Sequence, residues 1–532
     1  MQDELARSMK GLQEKGDPAP YFISYHGTDT TSSRLSAAYG SVRDRERSRL
    51  RLLDVEVRVG DHSLDNFHRA RGERGGSGFR RPVRLPIEDD PKAIRSAIWL
   101  ETDRRYREAV ERLIQIQTQQ AVKVKEEDTS DDFSHEEPSR WIGPRSEVAS
   151  DVDRWERRLE EYSALLDASP QIHASSADLV SDVKTRYFVS SEGSAVQEET
   201  VRWRLALWAS TRADDGMDLY RFEAFDAREP GRLPDERAVF GTIERMVSDL
   251  LALRRAPLVE PYTGPAILEG RAAGVFFHEI FGHRIEGHRQ KDEEEGQTFT
   301  KKIGERILPP FLSIQDDPTQ DRIGGIDLNG AYRYDDEGVR AQRATVVEAG
   351  VLKSFLMSRS PVLGFTRSNG HGRKSAGFRP VGRQANLIVE ASESVPEPRL
   401  RAMLVEECQR QGKPFGLIFR DIAGGFTVTG RGFPQTYQVS PILVYRVFTD
   451  GRPDELVRGV DLIGTPLASF GKILAASDRI SVFNGYCGAE SGYVPVSAVS
   501  PSILTAEIEI QKRVKSADRP PILPPPARKE GG

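Results

Sequence analysis

The chain has 532 residues, well above the length at which a single hydrophobic core stops growing, so about two or three domains are expected, at least one with a large core. Its composition, 38% hydrophobic and 30% charged, is that of an ordinary globular protein, and 76 basic against 81 acidic side chains leave a net charge of −5. That near balance gives no general push toward nucleic acid or an anionic membrane, and neither is expected as a partner; the two cysteines exclude a disulfide framework, and no apolar run reaches membrane-spanning length.

The first twenty residues, MQDELARSMKGLQEKGDPAP, lack the apolar stretch of a signal peptide, which implies a cytoplasmic location unless a leader precedes them. Residues 20–60 alternate and are rich in β-branched and aromatic side chains, predicting antiparallel strands. A long amphipathic helix with an Asp-Pro start is expected over 90–122. The run KVKEEDTSDDFSHEEPSR (123–140) is too polar to bury anything and reads as a mobile connection. A second helix fits 151–168, strands dominate 171–226, and a third helix fits 233–257. Beyond residue 300 strands and turns prevail, and the tail SADRPPILPPPARKEGG is Pro-rich and expected to be disordered. The predicted class is α+β, with an N-terminal α/β region of antiparallel strands and long helices before a strand-rich C-terminal domain. The divisions are 1–122, a charged connector 123–150, a helix and strand region 151–257, the C-terminal domain 258–515, and the tail 516–532.

Most of the recognisable chemistry lies in FFHEIFGHRIEGH (276–288), which sets three of the nine histidines and two glutamates among Phe276, Phe277, Ile280, Phe281 and Ile285. A buried ionisable side chain is costly unless it is paired or binds a metal, so His278, Glu279 and His283 need partners. The spacing is H-E-x-x-x-H, one residue longer than the zinc-protease pattern. On a straight α-helix, positions i and i+5 lie roughly 140° apart and cannot share a metal. A π-type widening would bring them to about 50°, and a helix ending near Gly282 would free His283 to swing round.

A catalytic zinc site needs a third protein ligand, for which Glu286, His288 and a distant residue are candidates. Among distant residues Cys487 stands out, in a loop whose flanking Gly485 and Gly488 allow close approach. Glu279, beside the first ligand, is placed to act as general base. Glu286, roughly 80° round an ideal helix from His278, is better placed to steer a ligand histidine. Cys408, in a helical segment, fits a small buried hydrophobe. The glycines of GERGGSGFRRP (72–82) lie in a basic, polar loop without the flanking strand and helix of a phosphate-binding turn.

HEIFGHRIEG (278–287) and CGAESGYVPV (487–496), in this order and separation, resemble the two motifs of the TldD/PmbA family of metalloproteases, in its zinc-bearing TldD branch. The stretches 335–358, 382–390, 423–430 and 458–464 are also similar, so the resemblance covers about 260–512. It implies one Zn²⁺ per active subunit held by His278, His283 and Cys487, with Glu279 as general base, hydrolysing peptides or unfolded segments. It also implies a homodimer, or a heterodimer with a PmbA/TldE-like sister subunit. The alternative reading is a non-catalytic partner that binds peptide or the sister chain. Two positions depart from the pattern: His288 stands where an acid is common, and Ala489 replaces a frequent lysine. Arg383, Asn386, Gly424 and Gly425, in the strand segments GRQANLIVE and AGGFTVTG, join Glu286 and His288 as candidates for supporting the ligands or meeting substrate. Both segments are expected to offer an edge to which an extended peptide adds.

Overall fold

The computed structural model describes residues 1–69, 78–120, 128–145, 152–292, 294–295, 297–430, 437–464, 469–513 and 521. The expected disordered tail thus lies almost wholly outside the described residues, as do 123–127 and 146–150 of the connector.

The N-terminal half is built on a sheet that has seven strands among the described residues. Its first hairpin pairs Pro20–Ala38 with Ser41–Val59 through a two-residue turn in which Tyr39 and Gly40 both adopt positive φ, 56° and 77°. Pro20–Ala38 then pairs with Ala174–Ser190, followed in space by Ala195–Arg212 and Asp218–Ala227, all antiparallel. The segments 1–122 and 151–257 therefore share one sheet, because the strand of one is hydrogen-bonded along its length to a strand of the other. Two helices, Val152–Leu166 and Glu236–Arg255, pack over it around Leu159, Tyr162, Leu205, Leu207, Ile243 and Leu250. The second starts where Asp235 accepts a hydrogen bond from Ala238 N and ends on Arg254 and Arg255, matching charge to the helix dipole at both ends. The helix Pro91–Gln120 covers the other end of the sheet, with Gln2–Lys15, a helix that the sequence reading passed over.

The connector behaves differently from its charge. Phe133 is buried, its ring edge-on to Phe22 and beneath the guanidiniums of Arg58 and Arg359 at 3.7 and 3.8 Å. One aromatic side chain anchors the segment, and Asp132 pairs with His68 at 2.8 Å. Low average hydropathy does not preclude a local anchor of this kind.

The C-terminal half carries an eleven-stranded sheet among the described residues. Tyr262–Leu268 pairs with Phe415–Thr427 on one side and with Gly492–Lys512 on the other. With Tyr437–Phe448 and Val460–Gly464 between, five strands close into a ring. The helix Gly270–Ile280 packs against the ring, its Phe276 and Phe277, with Phe281 just past its end, meeting Tyr437, Phe299 and Phe470 in a continuous aromatic core. Ring packing of this kind fixes the rotation of the helix and so the direction in which its polar residues point. No described helix is long and apolar enough to cross a membrane.

Candidate metal centre

The motif helix ends at Ile280, and a 3₁₀ turn, Gly282–Arg284, carries the chain round. No π-helical turn occurs among the described residues, so the change of direction comes from helix termination. Arg284 fixes that stop, donating to the carbonyls of Glu279 and Ile280 and to Thr427 Oγ1 at 3.2, 3.0 and 2.8 Å. Gly282 is required for close approach: a Cβ there would lie 1.8 Å from Gln384 Oε1, whose amide nitrogen donates to the His278 carbonyl.

The break brings the His278 and His283 rings to a centroid separation of 5.2 Å, nearly perpendicular. Cys487 arrives from the other end of the domain. It lies on a strand, Ile473–Ala489, paired along Gly492–Lys512, and this corrects the expectation of a loop. Strand register places its sulfur 3.3 Å from His283 Nε2, and one ligand atom from each of His278, His283 and Cys487 falls within 4.8 Å of the others. All three residues are buried.

Burial disfavours charge on each, yet the neighbours outweigh it. The Cys487 sulfur and the Glu286 carboxylate hold the His283 imidazole pKa well above its usual range. The two imidazoles and Arg383 hold the Cys487 thiol well below its own. The pocket thus stabilises the thiolate, the form that binds a soft metal ion.

Glu286 is fully buried, but it does not join these three. It faces His283 Nδ1 at 3.3 Å, and its pKa, raised by burial, is brought down to about 2 by His283 and Arg289. Its position fits a group that orients an imidazole from behind. His288 pairs instead with Glu490, which also accepts from Arg289 Nη2 at 2.8 Å. Glu286, His288 and Glu490 form a second polar group in which Arg289 and Arg383 already supply the positive charge. Arg383, fully buried, donates to the Cys487 carbonyl at 2.9 Å and to Ser491 Oγ at 2.8 Å, and its Nε lies 3.2 Å from Glu286. It ties the cysteine hairpin to the carboxylate behind His283.

Glu279 opens onto a cavity of about 370 Å³, bordered by His278, Gly424, Gly425 and Tyr486 and roofed by strands of the N-terminal sheet. Gly425 lies against it so closely that a Cβ would sit 2.3 Å from Glu279 Cγ. Asn386 is not brought to the centre: its amide donates to the carbonyls of Asp317 and Gln320 and holds that loop. The strand Asn386–Ala391 is paired on both sides, by Leu312–Asp316 and Gly492–Lys512, so the expectation of a free edge fails there. Phe415–Thr427 keeps one: beyond Phe419 no described strand continues the pairing begun by Tyr262–Leu268. Glu490, Arg289 and Gln384 were missed in the sequence, although Glu490 stands only three residues after Cys487.

Residues 261–512 match the PmbA/TldA metallopeptidase C-terminal domain. A metalloprotease of Methanothermobacter thermautotrophicus is 29% identical over 358 residues, 62% of this chain and 70% of that protein. A metalloprotease of Archaeoglobus fulgidus is 31% identical across 45% of this chain, and a zinc metalloprotease TldD homologue of Saccharolobus solfataricus is 25% identical across 46%, in each case 51% of the relative. The chain therefore spans about half the length of these last two. In fold it resembles TldE from Thermococcus kodakarensis, with a TM-score of 0.61 at 14% identity, covering 95% of this chain and 100% of that one. Residues 261–512 are thus similar to the C-terminal domain of PmbA/TldA metallopeptidases, and the chain as a whole shares the fold of TldE.

Proposed function

We propose that this chain is a zinc-dependent peptidase acting on extended or unfolded polypeptide. The observation that carries the reading is the convergence of two imidazoles and a thiol beside a carboxylate that opens onto a cleft. Two nitrogen donors and one sulfur donor with an accessible side make up the ligand chemistry of a catalytic zinc site, and His278, His283 and Cys487 would hold the ion. When bound, zinc supplies Lewis acidity toward the scissile carbonyl and acidifies water. Glu279 takes the proton from the attacking water and delivers it to the leaving amine. Glu286 holds the His283 ring by its far nitrogen, and Arg383 holds the backbone of Cys487, so neither ligand has to reorganise as charge develops. The backbone of Gly424–Thr427 offers main-chain groups to an extended peptide, giving binding with little demand on sequence.

The active assembly is a dimer, with a second copy or with a TldE-like chain, the kind of protein this fold resembles. The test is to measure zinc in the purified protein and the cleavage of a disordered fluorogenic peptide before and after chelation. Stoichiometric zinc and chelator-sensitive cleavage are expected. A zinc-replete protein that binds such peptides without cutting them would sink the peptidase reading and leave a non-catalytic partner.

A further inference from the structure

The two faces of the N-terminal sheet have unequal uses. Along Ala195–Arg212, Leu205, Leu207 and Ala209 are fully buried against the helices, so the alternation of a strand turns Arg204, Ala206 and Trp208 to the opposite face. That face borders the same cavity as His278 and Glu279. In the neighbouring strand, register sets Phe222 opposite Trp208, Ala224 opposite Ala206 and Asp226 opposite Arg204. The wall is therefore graded: an aromatic pair at one end, two methyl groups in the middle, an ion pair at the other end.

The charged groups of this wall are already engaged. Asp226 accepts two hydrogen bonds from Arg204, each 2.8 Å, and the same guanidinium lies 5.1 Å from the Tyr486 ring, closing that end of the cleft. Glu223 accepts from Arg271 at 2.8 Å. Trp208, by contrast, is 38% exposed in the cleft beside Phe222, an indole surface with no cover of its own.

We propose that Trp208, Phe222, Ala206 and Ala224 form a subsite that receives one bulky apolar side chain of the bound polypeptide, and that the N-terminal half thereby sets which residue is accepted. The alanines leave the depth, the aromatic pair supplies the contact area, and a paired Arg204 leaves nothing to attract an acidic residue. This subsite rests on the peptidase reading for its effect on turnover but not for its effect on binding. A single apolar group in such a pocket is worth about 10- to 200-fold in kcat/KM.

The experiment uses the zinc-loaded chain and a series of disordered peptides that differ at one position, carrying Gly, Leu, Phe or Asp. Wild type should prefer Phe and Leu over Gly and Asp by at least about tenfold. Trp208→Ala should erase that preference by slowing the Phe peptide far more than the Gly peptide. Ala206→Leu, which fills the depression from an independent position, should reverse the ranking toward Gly. The same peptides are titrated by fluorescence anisotropy into Glu279→Gln protein, with and without Trp208→Ala. If the zinc-loaded wild type cuts nothing but Phe peptides bind selectively and lose that selectivity with Trp208→Ala, the subsite stands and the peptidase reading falls. Equal ranking of Phe, Gly and Asp in wild type, or a ranking that neither substitution alters, overturns the subsite.

Discussion

The two halves of this protein approach the cleft with different kinds of residue. The C-terminal half brings a compact set of polar groups, His278, Glu279, His283 and Cys487, whose burial would be unfavourable without partners, and backs them with Glu286 and Arg383. The N-terminal half brings a strand face of alanines and aromatics with its charges already paired. On the proposed reading the contrast separates chemistry from selection: one wall would hold the metal and move the proton, the other would accept or refuse a side chain. Substitutions in the first should change whether the reaction occurs, and those in the second which peptide undergoes it.

The sharpest way to break this division is at the ligands. Cys487→Ala should abolish stoichiometric zinc and with it all turnover, while His288→Ala should leave zinc bound, because His288 meets Glu490 in place of the cluster. Metal analysis of both variants decides it: zinc retained without the cysteine and lost without His288 would move the third ligand to the second polar group. Since imidazole and thiolate ligands must be unprotonated, zinc should also be released as pH falls.

Next in size is Glu279→Gln, which should keep zinc and fold yet lose about 10² to 10⁴-fold in kcat, the usual contribution of a positioned base. Unchanged turnover in the metal-replete variant would remove Glu279 from the reaction. Arg383→Gln should act more weakly, lowering zinc affinity about 10- to 100-fold, because the guanidinium supports the ligands, through Cys487 and Glu286, without being one itself. With cobalt in place of zinc, a shifted thiolate charge-transfer band would report the moved ligand, and an unaltered band at unaltered affinity would reduce Arg383 to packing.

The unequal legibility of the halves follows from the same contrast. His278, Glu279 and His283 stand out in the sequence because charged residues inside an aromatic run violate a local rule. The spacing alone could not say how the helix would yield, since widening and termination both satisfy it; Arg284 capping the last carbonyls settles this, and that contact depends on Thr427 from a distant strand. Cys487 was visible through its glycines, but its strand register was not. Trp208 and Ala206 carry an ordinary alternating pattern. Alternation tells which residues share a face and nothing of what that face meets, which here is fixed by the docking of one half on the other. Phe133 was overlooked for a related reason: an averaged reading of charge hides a single anchor.

The smallest expected effect lies at the seam between the halves. The loop Asp335-Asp336-Glu337 sends Asp336 to Arg186 of the N-terminal sheet at 2.6 Å, while Arg359, next to the loop, reaches Glu192 at 2.6 Å. Asp335 and Glu337 turn inward together, Asp335 accepting from the Glu337, Val339 and Gly372 amides and Glu337 from the Arg359 amide at 2.7 Å. Burial pushes Asp335 up to about 7, and burial with the nearby Asp335 charge pushes Glu337 well above the carboxylate range. The folded state therefore retains protons that an unfolded chain releases near pH 4, so this pair stabilises the fold least at high pH: stability falls as pH rises from about 4 through about 7. Glu337→Gln keeps an acceptor for the Arg359 amide and removes the second charge. Thermal unfolding followed from pH 5 to pH 8 should show wild type losing a few degrees more than the variant, roughly the shift that one or two kcal/mol produces in a large chain. Zinc content and turnover of the variant at pH 7 should match wild type, because neither acid belongs to the metal cluster or borders its cleft. Parallel melting curves across that range would show that the pair is not the source of the pH dependence, whereas a loss of zinc would mean that the seam and the metal centre are coupled and that the two halves do not divide their work so cleanly.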